Sequence, residues 1–353
     1  MEVTLNGMKI YLATNNGDIG GGEVMLFNIA QELKSFGHHV VIVGPSNPCA
    51  VTKRAASEGL EVLCLPATNR RQYLLQLRKW NKSRKDGLLW CNGLVPSFAT
   101  SGHFQRVVHF HQVPVGKLRW LQKPVQYRAS ASLIPSKFGM EKVPGTIEFY
   151  NWVQGVNPSL VSKNLESKVR VGFIGRPSQI KGTDFLANAI YQLNTDESNG
   201  MTYELVVAGE PNFIGKAEQQ KVSASLKRLG NRYVKLGKVE PENFYQEVDM
   251  VVVPSQCEEV FGLVAAEAMS AKKPLIVSNA GALPELVGPD YPWIFDKEDI
   301  LSLKLLIAQV AQDLSTNPMK VDSIVEDSYW RWYEFFSPEA GKKRLQKFIS
   351  IFL

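Results

Sequence analysis

Two glutamates on either side of a predicted helix start are the strongest chemical signal in the sequence. Glu259 follows DMVVVPS, an apolar run typical of a buried strand, and Glu267 lies eight residues further along. The residues between them predict a helix beginning near residue 261 or 262, whose first amides (Gly262, Leu263 and Val264) favour a phosphate. Glu267 can then accept hydrogen bonds from vicinal hydroxyls such as those of ribose, and Glu259 from a sugar hydroxyl.

A second loop supplies two cations. Arg176 and Lys181 lie five residues apart in GFIGRPSQIKGTD, between a predicted strand that ends at Gly175 and the next helix. Loop cations are usually solvated, but two fixed positive charges beside the acidic motif can neutralise a pyrophosphate leaving group. Because the chain has no D-x-D motif, we expect no divalent-metal site of that type and no metal cofactor.

The first half of the chain offers a glycine-rich loop, NNGDIGGGEVM. The loop does not fit the dinucleotide pattern G-x-G-x-x-G, because Met25 stands where the third glycine would be. Gly20, Gly21 and Gly22 either let backbone amides approach a phosphate or sugar, or form an ordinary tight turn between strand and helix.

A pair of histidines lies near the end of a strand in QRVVHFHQVP. Because strand side chains alternate between faces, His109 and His111 are predicted to share one face. A lone histidine in a strand is more often structural than functional, and the pair is kept as a candidate for the site.

The elements that must position these residues form two similar halves. MKIYLAT, a helix pattern after the glycine-rich loop, and HHVVIVGP begin the first half, and VRVGFIG with a helix over about 185–193 begins the second. ELVVAGEP, RYVKLGKV, DMVVVPS and KPLIVSNA then alternate with helical stretches. This alternation predicts an α/β protein with two Rossmann-like domains. Ligands of such sheets bind beyond the carboxyl ends of the strands, where the candidate residues fall.

We place the N-terminal, acceptor-binding domain at residues 1–155, the C-terminal, donor-binding domain at 165–326, and a helical segment that returns to the first domain at 327–353. Pro, Asn and Ser collect in the linker at 151–168. The aromatic, amphipathic tail predicts helices with Trp330, Trp332 and Phe335 in a core rather than on a ligand.

The stretch from Pro254 to Gly288 resembles the E-x7-E donor-site motif of the retaining glycosyltransferases of family 4. That family has the GT-B fold, in which two Rossmann-like domains face a central cleft. The likeness covers nearly the whole chain and is strongest over residues 170–288. The positions in this stretch that match the family pattern are Pro254, Ser255, Glu259, Phe261, Gly262, Leu263, Glu267, Ala268, Met269, Pro274, Gly281, Pro284 and Glu285.

The resemblance implies catalytic roles for five residues. Arg176 and Lys181 match the family's GR…KG pair, and Glu259 is the first glutamate of its motif. The family's strand-end histidine, beside the reacting sugar, falls on His111, with His109 as the second choice.

The resemblance also implies a set of donor-binding positions, in which the strand ends near Gly209 and Lys238 frame the nucleobase. The set is Gly20, Gly21, Gly22, Gly209, Lys238, Val239, Phe261, Gly262, Leu263, Val264 and Glu267. The sequence departs from the family after Asn151, where Trp152 replaces the glycine of the family's N-G-V-D segment. This departure puts the sugar contacts of that loop in question.

The implied activity is transfer of a sugar from a nucleotide diphosphate sugar to a glycan, glycolipid or small-molecule acceptor, with retained anomeric configuration and no cofactor. Such a reaction belongs to cell-surface polysaccharide or glycoconjugate synthesis. Two other functions stay open, a non-catalytic nucleotide-sugar-binding subunit and a nucleotide-sugar epimerase or phosphorylase of the same fold.

Charge and composition limit the partners and the location. Residues 1–150 hold 18 Lys and Arg against 9 Asp and Glu, which indicates an anionic partner. Zinc-finger spacing and RRM-type aromatic motifs are missing, so we expect no nucleic acid. Without a signal-like N-terminus or an apolar run of roughly 20 residues, the sequence predicts a cytoplasmic protein, with peripheral contact at the inner face of the membrane as an option. The four scattered cysteines indicate neither a zinc site nor a disulfide framework.

The basic segment TNRRQYLLQLRKWNKSRKDG (68–87) is the candidate for that membrane contact. Its apolar residues Tyr73, Leu77 and Trp80 recur at helical spacing and either pack against the first domain or face lipid. In the second case the cations would meet headgroups; they are Arg70, Arg71, Arg78, Lys79, Lys82, Arg84 and Lys85.

Overall fold

Two compact units make up the computed structural model, which describes residues 7–157, 168–196, 200–211 and 214–352. The first unit comprises Met1–Trp152 and Gly341–Leu353, and the second comprises Val153–Ala340. The predicted domain start at residue 165 and the middle of the predicted linker lie outside the described residues.

In the first unit, the described residues form a parallel sheet of seven strands in the order β3-β2-β1-β4-β5-β6-β7. The strands are β1 (Lys9–Thr14), β2 (His39–Pro45), β3 (Glu61–Leu65), β4 (Leu88–Asn92), β5 (Arg106–His109), β6 (Ala131–Ile134) and β7 (Ile147–Glu148). The helices are α1 (Gly21–Ser35), α2 (Ala50–Ser57), α3 (Arg70–Ser83), α4 (Leu94–Ala99), a 3-10 helix (Gly116–Leu121), α5 (Gln122–Gln126) and α6 (Lys137–Lys142).

In the second unit, the described residues form a parallel sheet of six strands in the order β10-β9-β8-β11-β12-β13. The strands are β8 (Lys168–Ile174), β9 (Thr202–Ala208), β10 (Tyr233–Gly237), β11 (Met250–Val253), β12 (Leu275–Ser278) and β13 (Ile294–Phe295). The helices are α7 (Thr183–Thr195), α8 (Lys216–Lys227), a 3-10 helix (Gly230–Arg232), α9 (Pro241–Glu247), α10 (Leu263–Ser270), α11 (Leu283–Val287), α12 (Ile300–Thr316) and α13 (Pro318–Phe335).

Both sheets follow the 3-2-1-4-5-6 order of the doubly wound Rossmann fold, so the predicted α/β fold of two such domains is confirmed. Their central strands are apolar on both faces because helices cover both sides; Ile10, Leu12, Val251 and Ile276, for example, are fully buried. The strand order reverses beside β1 and β4 in the first unit and beside β8 and β11 in the second. Ligands of doubly wound sheets bind at the carboxyl ends of such strand pairs.

The last helix, α14 (Pro338–Phe352), completes the core of the first unit. Its Leu345, Phe348 and Ile349 are buried in the cluster that contains Trp90, and Gly341 lies directly against the ring of Trp152. Of the segment 327–353 that the sequence indicated, the part from Gly341 onward is grouped with the first unit, and the part before Gly341 is grouped with the second.

The preceding helix, α13, packs on α10 and α12 and places Val321 and Val325 in the core of the second unit. Trp332 is buried as predicted, whereas Trp330 is 60% exposed, so the core prediction for Trp330 was wrong. Among the described residues, no helix has the length and apolarity that crossing a bilayer requires.

Candidate functional site

The reversal point of the second sheet brings together a cation and a carboxylate from two loops. Lys181 lies in the loop after β8, and Glu259 in the loop after β11. Lys181 Nζ lies 2.5 Å from Glu259 Oε1, and the hydroxyl of Ser255 donates to the same oxygen at 2.5 Å. The side chains of Lys181 and Glu259 are 34% and 15% exposed, so a ligand can reach this fixed pair.

Close backbone packing sets the position of these two loops. Gly182 has φ +72°, and a Cβ there would lie 1.8 Å from the carbonyl oxygen of Pro254, so only glycine fits. On the other side, a Cβ at Gly281 would lie 2.2 Å from the carbonyl oxygen of Glu259, which also accepts the Ala282 amide at 2.8 Å. Glu259 is therefore held through its backbone as well as its side chain.

Helix α10 begins at Leu263, directly after this loop, as the sequence predicts. Leu263 and Val264 occupy its first two positions, where amides have no acceptor within the helix. Gly262 has φ +108°, and its Cβ would lie 2.6 Å from a methyl group of Leu283, so backbone and packing require glycine here apart from any phosphate. The side chain of Phe261 is buried, which leaves its backbone as the part that a ligand could meet.

Glu267 lies in the second turn of α10 with its carboxyl group half-buried. Burial, and then the neighbouring charge of Glu242, raises the pKa of Glu267 to about 7. No hydrogen bond reaches this carboxyl group from the residues that the structure describes. The group is thus poised to accept hydrogen bonds from a ligand, at a cost in desolvation that the free protein bears.

Arg176 lies in the same loop as Lys181, but within the described ranges its guanidinium forms no ion pair with Glu259. Three strands next to the loop end in glycines with positive φ: Gly175, Gly209 and Gly237. A Cβ at Gly209 would lie 2.0 Å from the carbonyl oxygen of Gly175, so these strand ends present bare backbone.

The predicted base-framing residues follow the last of these strand ends. Lys238 is exposed and Val239 is half-buried at the carboxyl end of β10. Their roles stay predictions, because the geometry shows only that an open strand edge carries them.

In the first unit, the glycine-rich loop is held by a buried glutamate. Glu23, 3% exposed, accepts from the hydroxyl of Thr14 at 3.0 Å, the amide nitrogen of Asn16 at 2.9 Å and the backbone amide of Gly20 at 3.1 Å. Gly20 is the N-cap of α1, and Gly21 begins the helix. Glu23 therefore anchors the start of α1.

His111 lies at the reversal point of the first sheet, where Asn92 orients it. The side-chain amide of Asn92 donates to the Gly22 carbonyl at 3.1 Å, so its oxygen faces His111 Nε2 at 2.6 Å. Nε2 must therefore carry the proton and donate, which leaves Nδ1 as the acceptor nitrogen. Burial lowers the pKa of His111 to about 4, so the imidazole is neutral at pH 7.

His109 ends β5 and is fully buried, with its ring centroid 4.2 Å from that of His111. Burial, and then His111, holds its pKa well below the ordinary value, and neither ring nitrogen has a partner among the described residues. Aromatic edges of Trp90 and Phe149 surround it. Of the two histidines, only His111 is partly exposed.

The basic helix α3 uses its apolar side for the core of the first unit. Tyr73 and Leu77 are buried, the Tyr73 hydroxyl donates to the Val43 carbonyl at 3.1 Å, and Trp80 packs edge-on against Tyr11. The guanidinium of Arg84 donates to nearby carbonyl oxygens of residues 86 and 87. Tyr73 and Leu77 thus follow the packing alternative for the 68–87 segment, while Leu75 is 65% exposed among the cations.

Two residues that hold the site were given no role by the sequence reasoning. Asn92 orients His111, and Ser255 shares the Glu259 oxygen with Lys181. Asn92 ends the buried strand β4, and Ser255 comes two residues after the end of β11. Their place at the carboxyl ends of these strands is the signal by which they could have been found. Within the described ranges, no group of three or more His, Cys, Asp and Glu side chains is placed to hold a metal ion.

Comparison with known proteins finds likeness to glycosyltransferases, with the family match in the second unit. Residues 168–313 match the family described as Glycosyl transferases group 1. Over 122 residues the chain is 40% identical to lipopolysaccharide 1,2-N-acetylglucosaminetransferase of Salmonella typhimurium, covering 33% of this chain and 31% of that protein. Over 119 residues it is 33% identical to D-inositol 3-phosphate glycosyltransferase of Corynebacterium jeikeium, covering 32% and 28%. The chain thus matches about a third of the length of these curated relatives.

Solved structures match over almost the whole chain. HepE of Anabaena, whose crystal structure contains UDP, has a TM-score of 0.80 at 18% identity, covering 97% of this chain and 100% of that one. Sucrose-phosphate synthase of Thermosynechococcus elongatus has a TM-score of 0.78 at 18% identity, covering 97% and 98%. These likenesses show the GT-B fold and, with the family match, support a place for the chain among the glycosyltransferases of that fold.

Proposed function

We propose that this protein transfers a sugar from a nucleotide diphosphate sugar with retention of anomeric configuration and without a divalent metal. The observation that carries the proposal is the arrangement in the second unit: Glu259, fixed by Lys181 at the reversal point, directly precedes α10, whose second turn presents Glu267. A phosphate-binding helix start lies between the two carboxylates, which is the order that a sugar, a diphosphate and a ribose require.

Each part of that arrangement has a role toward the donor. The Leu263 and Val264 amides bind the diphosphate, and Lys181 and Arg176 offset the charge that develops on it as the glycosidic bond breaks. Glu267 accepts hydrogen bonds from the ribose hydroxyls, which compensates the desolvation of its carboxylate. For the first unit we keep the role that the resemblance implies, with the neutral His111 beside the reacting sugar.

The reaction on this geometry needs no side-chain nucleophile. The bond from the anomeric carbon to the phosphate oxygen breaks, and the acceptor oxygen bonds to the same carbon on the same face. The acceptor proton passes to the leaving phosphate, whose negative charge the cations and helix amides stabilise. Same-face attack gives retention.

The first donor to test is a UDP-sugar, because HepE was crystallised with UDP-glucose as well as UDP. The lipopolysaccharide enzymes among the relatives make a cell-surface glycan or glycolipid the first acceptor class. Both choices rest on likeness and are proposals for this chain.

The test is thermal stability with UDP, GDP, ADP or TDP, each with and without EDTA, beside Glu267→Ala. A ligand at about 100 times its Kd should stabilise the native protein by roughly 2.7 kcal/mol. We expect one diphosphate to stabilise the wild type, to be insensitive to EDTA and to fail on the variant. If none stabilises the wild type, the donor site is refuted, and an inverted product by NMR would refute retention.

A further inference from the structure

The first unit exposes an unusual run of apolar side chains directly after its 111–114 loop. All six residues from Val115 to Trp120 are exposed, and Val115, Leu118 and Trp120 keep 70%, 49% and 85% of their surface accessible. The 3-10 helix that carries most of them has no buried residue. We call residues 115–123 the apolar-basic segment.

The base of this segment is firmly held. Arg106 is completely buried and donates to the carbonyl oxygens of Val125 at 2.6 Å and Tyr127 at 2.7 Å. The hydroxyl of Ser101 donates to the carbonyl of Pro124 at 2.5 Å. The exposed side chains therefore project from an anchored turn, and their exposure is a property of the fold.

The charge of this region has one sign. No Asp or Glu occurs between Asp86 and Glu141, whereas six Lys and Arg do. Within the segment, Lys117, Arg119 and Lys123 alternate with or flank the apolar residues, and none forms an ion pair with another described residue.

A second exposed group lies at the base of the segment. The guanidinium of Arg128 stacks over Phe104 at 4.7 Å and contacts the ring of Tyr127 at 5.4 Å. Phe104 and Tyr127 are 66% and 59% exposed. Aromatic rings paired with a cation suit the boundary between an apolar layer and water.

We propose that the apolar-basic segment docks the first unit on a bilayer rich in anionic phospholipid. Trp120, Leu118 and Val115 enter the headgroup and upper acyl region, and the neighbouring cations bind lipid phosphates. A protein partner fits less well, because the cores of protein interfaces are depleted in charge, and burying Leu118 or Trp120 there would also bury Lys117 or Arg119. A headgroup layer accepts both kinds of side chain at the same depth.

This surface differs from the 68–87 segment, where Tyr73 and Leu77 are buried inside the unit and Leu75 is the one large apolar side chain of the described helix that is exposed. Burial, and then the charges of Arg106, Arg78 and Lys82, lowers the pKa of His103, so cations of α3 lie near the residue that precedes Phe104. Helix α3 can thus add attraction for anionic lipid, whereas insertion depends on the apolar-basic segment.

The experiment is flotation with vesicles of phosphatidylcholine alone or mixed equally with phosphatidylglycerol, at low salt. We expect the wild type to float with the mixed vesicles only and Leu118→Ala/Trp120→Ala to stay behind. The matched control is Trp330→Ala, which removes another exposed tryptophan, 60% accessible, from the second unit and should float like the wild type. Neutralising Lys117→Gln and Arg119→Gln should each lower vesicle affinity about fivefold.

Insertion is tested separately by quenching tryptophan fluorescence with brominated phosphatidylcholine in mixed vesicles, where Trp120→Phe should lose most of the quenching.

Three flotation results would overturn the proposal. They are failure of the wild type to bind mixed vesicles, equal binding to both vesicle types, and normal flotation of the double variant. So would loss of self-association as the sole effect of that variant, which would assign the surface to a second copy. Flotation needs no nucleotide, so its failure leaves sugar transfer standing, and a failed nucleotide shift leaves membrane docking standing.

Discussion

Replacing Glu267 by glutamine tests whether a carboxylate is kept in the site at a cost to the free protein. The carboxyl group is half-buried and receives no hydrogen bond from the described residues, and its pKa is raised from 4.5 to about 7. Glutamine has nearly the same shape and never ionises. The variant should therefore lack the pH dependence that Glu267 imposes on folding.

The magnitude follows from the two pKa values. Between pH 4.5 and 7 the folded protein holds a proton on Glu267 that the unfolded chain has released, so stability falls as pH rises through this window. The difference of about 2.5 between the pKa values corresponds to about 3 kcal/mol. Above pH 7 the wild type has lost this amount, and Glu267→Gln should be about 3 kcal/mol more stable than the wild type at pH 8 and similar to it at pH 4.5.

The assay is the free energy of urea unfolding across pH 4.5 to 8, with hydrogen exchange of β11 amides to report on the second unit. Glu334→Gln removes an exposed glutamate from α13 and is the matched control, with no expected change. The reasoning is refuted if Glu267→Gln gains no stability at pH 8, or if its stability falls with pH as steeply as that of the wild type.

Three further predictions concern the positions that shape the two units. Gly209→Ala should destabilise the second unit by about 3–4 kcal/mol, because the new Cβ meets a backbone oxygen, whereas Gly230→Ala, with open space and φ +59°, should cost about 1–2 kcal/mol in urea unfolding. Asn92→Asp should raise the pKa of His111 from about 4 by at least ~1, as followed by NMR titration; an unchanged pKa would contradict the Asn92 contact. Deleting residues 341–352 should destabilise the first unit by at least ~5 kcal/mol and leave slow hydrogen exchange in the second, since three buried side chains are lost from one core only.

The fold was predictable because its signals are local and repeated. Apolar runs followed by glycine-rich or polar loops, as in MKIYLAT and VRVGFIG, recur along the chain, and this alternation is typical of a parallel sheet covered by helices. The cores in which the last two helices pack were harder to predict. Nothing in the pattern of 327–353 distinguishes α13, which serves the second core, from α14, which serves the first, because both are amphipathic and differ only in what they meet.

Site residues were predictable as positions and less so as contacts. Lys181 and Glu259 could be placed on neighbouring loops, but their shared oxygen with Ser255 depends on the close passage of Gly182 past Pro254, which only the tertiary structure shows. Gly262 illustrates a second limit. The sequence explains its missing side chain by a phosphate, while the structure adds two reasons, a positive φ and the nearby Leu283.

The degree to which each carboxylate is already satisfied separates structural from ligand-binding roles. Glu23 is 3% exposed and accepts from three donors across both oxygens, so it works by holding the loop. Glu259 receives Lys181 and Ser255 on Oε1, and within the described residues no donor reaches Oε2, so one oxygen is fixed and one is available. Glu267 receives none. A buried acceptor without a donor is costly for the free protein, and a ligand with adjacent hydroxyls removes that cost on binding. Under the proposed function, this order makes Glu267 the first candidate for donor recognition and Glu259 the second, and it leaves Glu23 with a structural role.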